Sequence, residues 1–331
     1  MSRSGPGRIA PVFFFAVLVF VAAAPAGSSA QTGPKLASKS IAVTIDDLPF
    51  VGYGLDLSGI AVRTDRLLNA LAGRHIEAVG FVNERNVLIP GEMDARTALL
   101  RKWIERGMIL GNHTFSHVDP NATSLEDYQK EILRGGTLTE ILQKGRPAAP
   151  RYFRHPLNHR GKTPEYREAV DRFLLASGYT AVPFTIENSD YLFAFVYAAA
   201  VKAGDRSLAD QVKTAYLDFT NIICDWMERQ AEDLFGRSIP HVLLIHANAL
   251  NSDAGGEVLA LLEKRGFAFA GLDRVLSDPA YQTADGYAGA SGPSWIYRWQ
   301  ATLGKPSTMK EEPEPPEWIL RKFEDLRKKA S

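Results

Sequence analysis

Residues 41–47 read Ile41-Ala42-Val43-Thr44-Ile45-Asp46-Asp47, an apolar, β-branched run that ends on two adjacent carboxylates. The run predicts a buried strand and places the acids at its exit. The same grammar recurs four times downstream. MILGN (108–112) precedes His113-Thr114-Phe115-Ser116-His117, and Arg151-Tyr152-Phe153 precedes Arg154-His155-Pro156. TAVPFTI (180–186) precedes Glu187 to Asp190, and HVLLI (241–245) precedes His246. Polar groups at the exits of successive strands predict one active site at the carboxyl end of an α/β barrel. Two neighbouring carboxylates and a His-x3-His pair suit a divalent metal with a general base beside it.

Helical patterns fill the intervals. Leu67, Leu68 and Leu71 predict a helix ending near Gly73, and 76–82 a second strand. Asp94 reads as an N-cap for a helix with Leu99, Leu100, Trp103 and Ile104 facing inward and Gly107 as its stop. Ser124 with Asp127 resembles a capping box for a helix running through Ile141, weak at Gly135-Gly136. Thr163-Pro164 predicts a helix start and Gly178 a stop. A fifth strand is expected over 179–185, its pairing limited by Pro183. After the sixth strand at 241–245 come a helix over 257–264 and a last strand over 267–270. The predicted fold class is therefore α/β: an incomplete, distorted (β/α)7 barrel, with a helical insertion (191–236) before the sixth strand and a C-terminal extension. The aromatics of the insertion read mainly as core. No glycine-rich phosphate loop follows the first strand.

The 331 residues carry no formal net charge, which gives no basis for capturing nucleic acid or an anionic membrane. The single cysteine, Cys224, sits among Ile222, Ile223 and Trp226 and reads as a buried helix position. At the N-terminus, Arg3 and Arg8 flank the start of the apolar run IAPVFFFAVLVFVAAA, and Ser28-Ser29-Ala30 offers a small-residue cleavage site. Residues 1–30 thus read as a signal peptide, with Gln31 opening an exported chain, periplasmic or extracellular, that keeps no membrane span after cleavage. The expected catalytic domain covers 40–278 and the extension 279–331, the latter closing with the Pro/Glu stretch EEPEPPE and a short amphipathic helix.

The chemistry starts with His113 and His117. Four residues apart in a turn, their imidazoles can face one point. Asp47 is the natural third ligand, and a His2Asp set leaves a position open for water and substrate. Asp46, diverging from Asp47, is then free to act as a base. His75 and His241 lie at strand starts and read as structural. His155 reads as a site-lining residue and His159 as a loop residue.

Together these stretches resemble the polysaccharide deacetylase family, the NodB-homology carbohydrate esterases of family 4. Thr44-Ile45-Asp46-Asp47-Leu48 is similar to its Thr-Phe-Asp-Asp-Gly, and His113 to His117 match its His-Ser/Thr-x-x-His. Arg154-His155-Pro156 matches Arg-x-Pro, Glu187 to Tyr191 is an altered Asp-x-x-Asp-Trp, and Leu243 to His246 matches Leu-x-x-His. The resemblance spans roughly 40–275 with all five motifs in order. It implies a hydrolase that removes N-acetyl groups from an amino-sugar polymer such as peptidoglycan, with one divalent metal, zinc or similar, on Asp47, His113 and His117. It implies further that Asp46 is the base, Arg154 its partner, His246 the acid and Asp190 its support. The oxyanion would meet the Leu157 amide beside Pro156. Leu48, in place of glycine, is expected to narrow the approach to the metal, and Glu187 and Tyr191 soften the fourth motif. Hydrolysis of O-acetyl esters or small amides is the alternative on the same fold, and a non-catalytic glycan-binding envelope protein is a third reading.

Overall fold

Strand β1, Ser40–Val51, is the spine of the molecule. Its even residues and its odd residues face different layers, as the two-residue period of a strand requires. Ala42 joins Val79, Phe81, Ile109, Val242 and Leu244 in an inner cluster, while Ile41, Val43 and Ile45 join a larger cluster that packs on helices. That two-faced burial is what an all-parallel sheet curled into a barrel demands.

The computed structural model describes Met1 and residues 39–146 and 150–330. The predicted signal peptide and cleavage site lie outside the described residues. After β1 come α1 (Leu57–Ala72), β2 (Val79–Val82), α2 (Met93–Glu105), β3 (Ile109–Asn112), α3 (Leu125–Arg134) and α4 (Thr137–Gln143). Next are β4 (Tyr152–Phe153), α5 (Pro164–Ala176), β5 (Thr180–Ala181), β6 (Ile186–Glu187), α6 (Asp190–Ala203) and α7 (Arg206–Phe235). The chain ends with β7 (His241–Asn248), α8 (Ala249–Lys264), β8 (Ala268–Phe269), α9 (Leu272–Leu276), α10 (Trp295–Thr302) and α11 (Glu317–Ala330). Every strand pairing is parallel. The order is β5-β4-β3-β2-β1-β7-β6, with β8 paired to β1. Consecutive strands β5 and β6 therefore stand at opposite ends, and the sheet is an incomplete, distorted barrel of seven strands with helices around it.

The opening has a residue-level cause. The expected fifth strand over 179–185 splits into β5 and β6, because Pro183 lacks an amide for a ladder bond. The helical insertion, α6 and α7, consequently precedes the seventh strand rather than the sixth. The C-terminal extension meets the gap: Trp295 N–H donates to Phe184 O at 3.0 Å and Ser294 Oγ to Thr185 O at 2.9 Å. Ile296, Tyr297 and Trp299 are buried there, so α10 is core. The insertion is core as well: Phe193 lies against Tyr216 and Phe219, and Cys224 is buried, its thiol pushed up to about 12 chiefly by desolvation.

Three other expectations change. Helix α2 is capped at Glu92, not Asp94, which sits inside the first turn. The helix expected from Ser124 to Ile141 breaks at Gly135-Gly136 into α3 and α4. Helix α8 starts at Ala249, eight residues before Glu257, capped by the Asn248 side chain accepting from Asn251 N–H. No helix among the described residues is long and apolar enough to cross a membrane.

Candidate active site

The strand exits converge on a cleft of about 440 Å³ whose lining includes Asp46, Asp47, His113, His117 and His246. Registers place them: Asp46 is opposite His246 across β1 and β7, and His113 follows directly on β3. The backbone then departs from regular strand. Asp47 (φ 65), Thr114 (φ 62), His117 (φ 57) and Leu157 (φ 56) all hold left-handed conformations, each costing on the order of 1–3 kcal/mol for a side-chain-bearing residue. With Asp47 in this turn, its Oδ1 and Asp46 Oδ2 each stand 3.7 Å from His113 Nε2.

Asp47, His113 and His117 offer ligand atoms that all lie within 4.8 Å of one another. Asp47 Oδ1 is 3.7 Å from His113 Nε2 and 3.5 Å from His117 Nε2. Ligands of a tetrahedral ion with bonds of about 2.05 Å stand about 3.4 Å apart, so the spacing fits a zinc-sized ion. The donor set fits too. His113 Nδ1 is 2.8 Å from Arg154 O, a carbonyl that can only accept, so Nδ1 carries the proton and Nε2 turns its lone pair to the point it shares with Asp47 and His117. Burial, with the neighbouring His117, holds His113 neutral, well below the usual histidine range. These three residues form a possible metal-binding group.

Beside it, Asp46 is buried, and its pKa is raised by desolvation against the opposing charge of Arg154. Arg154 Nη1 stands 3.6 Å from Asp46 Oδ1, and Nη2 donates to Thr44 Oγ1 at 2.9 Å. Asp46 Oδ1 itself has no hydrogen-bond partner, and neither does Arg154 Nη1. Oδ1 is therefore held by the charge of Arg154 rather than by a hydrogen bond.

Across the cleft His246 Nδ1 meets Asp190 Oδ1 at 2.7 Å. Oδ2 of Asp190 accepts from His246 N–H (3.0 Å), Asn248 Nδ2 (2.7 Å) and Asn251 Nδ2 (2.6 Å). Desolvation works against charge on His246, but the Asp190 carboxylate, with Asp47 and Asp46, outweighs it and pushes the imidazole up to about 10. His246 is thus held as a proton donor, oriented by a fully satisfied carboxylate.

The remaining expectations divide. Leu157 lies on the cleft rim, half exposed, with Pro156 buried beneath it. Leu48 does not narrow the cleft: it is fully buried, and its Cδ2 fills the space where a Cβ on Gly80 would stand 2.5 Å away. His155 does not line the site, and His159, in a loop as expected, does. His155 is buried, 2.9 Å from Tyr128 OH, whereas His159 lines the cleft with Nδ1 2.9 Å from Asp119 Oδ1. His241 is buried at the start of β7 as expected, held down at about 3 by desolvation and Lys39. Glu187 and Tyr191 both line the cleft, and burial with the nearby Asp190 charge pushes Glu187 up to about 8. Sequence reasoning missed Tyr53, Gly292, Asn248 and Asn251. The spacing His246-x-Asn248-x-x-Asn251 was the available signal for the last two.

Fold and cleft define an α/β half-barrel protein with a candidate acid–histidine hydrolytic site. Residues 33–173 match the family model for polysaccharide deacetylase, the family that the five sequence motifs resemble. The match includes Asp46, Asp47, His113, His117 and Arg154 to Leu157; Asp190 and His246 lie beyond it. No curated protein sequence matches the chain. Among solved structures, it is similar to a family 4 carbohydrate esterase from Streptomyces lividans in complex with acetate, at 19% identity over 71% of this chain and 94% of that one, TM-score 0.45. It is also similar to the peptidoglycan deacetylase PdaC of Bacillus subtilis, at 18% identity over 72% and 89%, TM-score 0.44. A third likeness is a family 4 pseudoenzyme from Bacillus anthracis, at 14% identity over 72% and 66%, TM-score 0.46.

Proposed function

We propose that this protein is an exported, metal-dependent hydrolase that removes N-acetyl groups from an amino-sugar polymer, peptidoglycan or a related glycan, and releases acetate. The family match supports the substrate class. The observation that carries the reading is the buried Asp46 carboxylate, ion-paired with Arg154 beside a metal-type trio and facing a His246 imidazole that is held protonated.

Asp47, His113 and His117 would hold the ion, zinc by donor type. When bound, it supplies Lewis acidity toward a carbonyl and a lowered pKa for water. Asp46 takes a proton from the attacking water; its burial makes it a stronger base than an exposed aspartate, and Arg154 keeps it oriented. The Leu157 N–H, on the turn set by Pro156, meets the charge that develops on the acyl oxygen. His246 gives its Nε2 proton to the leaving nitrogen as the C–N bond breaks, and Asp190 balances its charge. One water is consumed, one amine and one acetate leave, and proton exchange with solvent restores Asp46 and His246.

Mass spectrometry of N-acetylglucosamine oligomers and peptidoglycan fragments incubated with zinc-loaded enzyme tests this. The expected result is loss of acetyl groups with matching acetate, stopped by chelator. Turnover confined to O-acetyl esters would move the chemistry to esters, and glycan binding without product would reject a hydrolase.

A further inference from the structure

The C-terminal extension reaches the cleft. Gly292 lines it next to Leu157 and Asn158. A Cβ on Gly292 would lie 2.0 Å from the Leu157 carbonyl oxygen and 2.9 Å from Asn158 Cβ, so the absence of a side chain is what lets the extension close on that turn. Behind the turn stands Arg298, 1% exposed. Its Nη2 donates to Asn158 O at 2.7 Å, Nη1 to Asp285 Oδ2 at 2.8 Å and Nε to Pro293 O at 3.1 Å. The same Asp285 oxygen accepts from Arg160 Nη1 at 2.8 Å. One buried carboxylate therefore joins an arginine that follows the turn to an arginine of the extension. Desolvation opposes charge on Asp285, yet Arg298 and Arg160 hold it ionised.

The turn needs such a hold. Leu157 and Asn158 are consecutive non-glycine residues at φ 56 and φ 52. Left-handed backbone at leucine persists only where its surroundings over-determine it. The guanidinium of Arg298 supplies that determination through a fixed fork, with one prong on the turn's carbonyl and another on the shared carboxylate.

We propose that Arg298 is a positioning residue of the active site, holding the Leu157 turn in its left-handed form through Asn158 O and the carboxylate shared with Arg160, so that the C-terminal extension completes the catalytic cleft. Its kinetic consequence rests on the deacetylase reading; its structural consequence does not. Lysine at this position keeps a charge for Asp285 but lacks the fork that also reaches Asn158.

The test uses full-length wild type, Arg298→Lys and Gly292→Ala, with kcat and KM for acetate release and hydrogen exchange over 154–160 measured together. In both variants kcat is expected to fall on the order of 10²-fold, as for a small misplacement of a transition-state donor, with KM little changed. Exchange accelerates over 154–160 while β7 keeps its wild-type protection. Wild-type kcat and exchange in either folded variant would overturn the proposal, and so would a loss of kcat that comes with faster exchange throughout β7. If the wild type itself releases no acetate, the deacetylase reading fails and exchange alone decides: acceleration confined to 154–160 sustains the positioning role, and unchanged exchange refutes it.

Discussion

Asp46 and His246 face each other across one strand pair, with opposite environments. Asp46 is desolvated with the Arg154 charge beside it, and His246 is tied to a saturated carboxylate. Asp46→Asn is expected to lower kcat by about 10²–10⁴-fold without unfolding, checked by acetate release beside circular dichroism. Asp190→Asn removes the charge that raises His246. A donor must be protonated to act, so activity is present below its pKa and is lost as pH rises through it. The alkaline limb of kcat/KM, set near 10 by His246, should therefore move toward neutrality in Asp190→Asn; an unmoved limb contradicts the assignment. These residues were legible because acids and histidines after apolar runs have few structural uses. Asn248 and Asn251 were not, since they lie before the expected helix start and neutral amides carry little chemical signal by type. The site-lining role fell to His159 rather than His155 because sequence does not reveal which way a turn points its side chains.

Leu48 carries a lesson at the scale of elements. At the exit of β1 it was expected to crowd the metal, but the left-handed turn at Asp47 sends it into the core against β2. Leu48, within β1, is thus accommodated by the missing side chain at Gly80. Gly80→Ala is expected to lose about 1–3 kcal/mol by overpacking, measured by urea unfolding, and Leu48→Ala about 2–5 kcal/mol by leaving a cavity. The double variant should lose less than the sum, because each change relieves the other; simple additivity would contradict the contact. Strand and helix existence followed from periodicity and caps. The split of β5 from β6 followed from Pro183 in kind, though its consequence, an open barrel, depends on which strands flank the gap. The early start of α8 escaped notice because Ala249 to Gly256 is small and polar, without a helical stripe.

For the molecule as a whole, the extension was underread. Its tryptophans had no assigned place in the expected fold, yet Trp299 is core and Trp295 sits at the gap between β5 and β6. A sequence pattern gives an apolar face but not the hole that face fills. Buried His241 makes global stability depend on pH. Its folded pKa, about 3, lies below the unfolded value near 6.5, so the unfolded chain binds the extra proton between those limits. Its contribution is intact above about 6.5 and falls by about 1.4 kcal/mol per pH unit as pH drops toward 3. Denaturant unfolding of wild type against His241→Asn should show a shallower acid slope in the variant. The central claim, that the Asp47, His113 and His117 trio makes this domain a metal-dependent deacetylase, is met most directly by metal titration. Zinc is added to chelator-stripped protein while acetate release from N-acetylglucosamine oligomers is followed. Activity is expected to return and saturate at one ion per chain in the wild type and to stay absent in His113→Ala. Acetate release that survives stripping, or that His113→Ala recovers with the same stoichiometry, would contradict it.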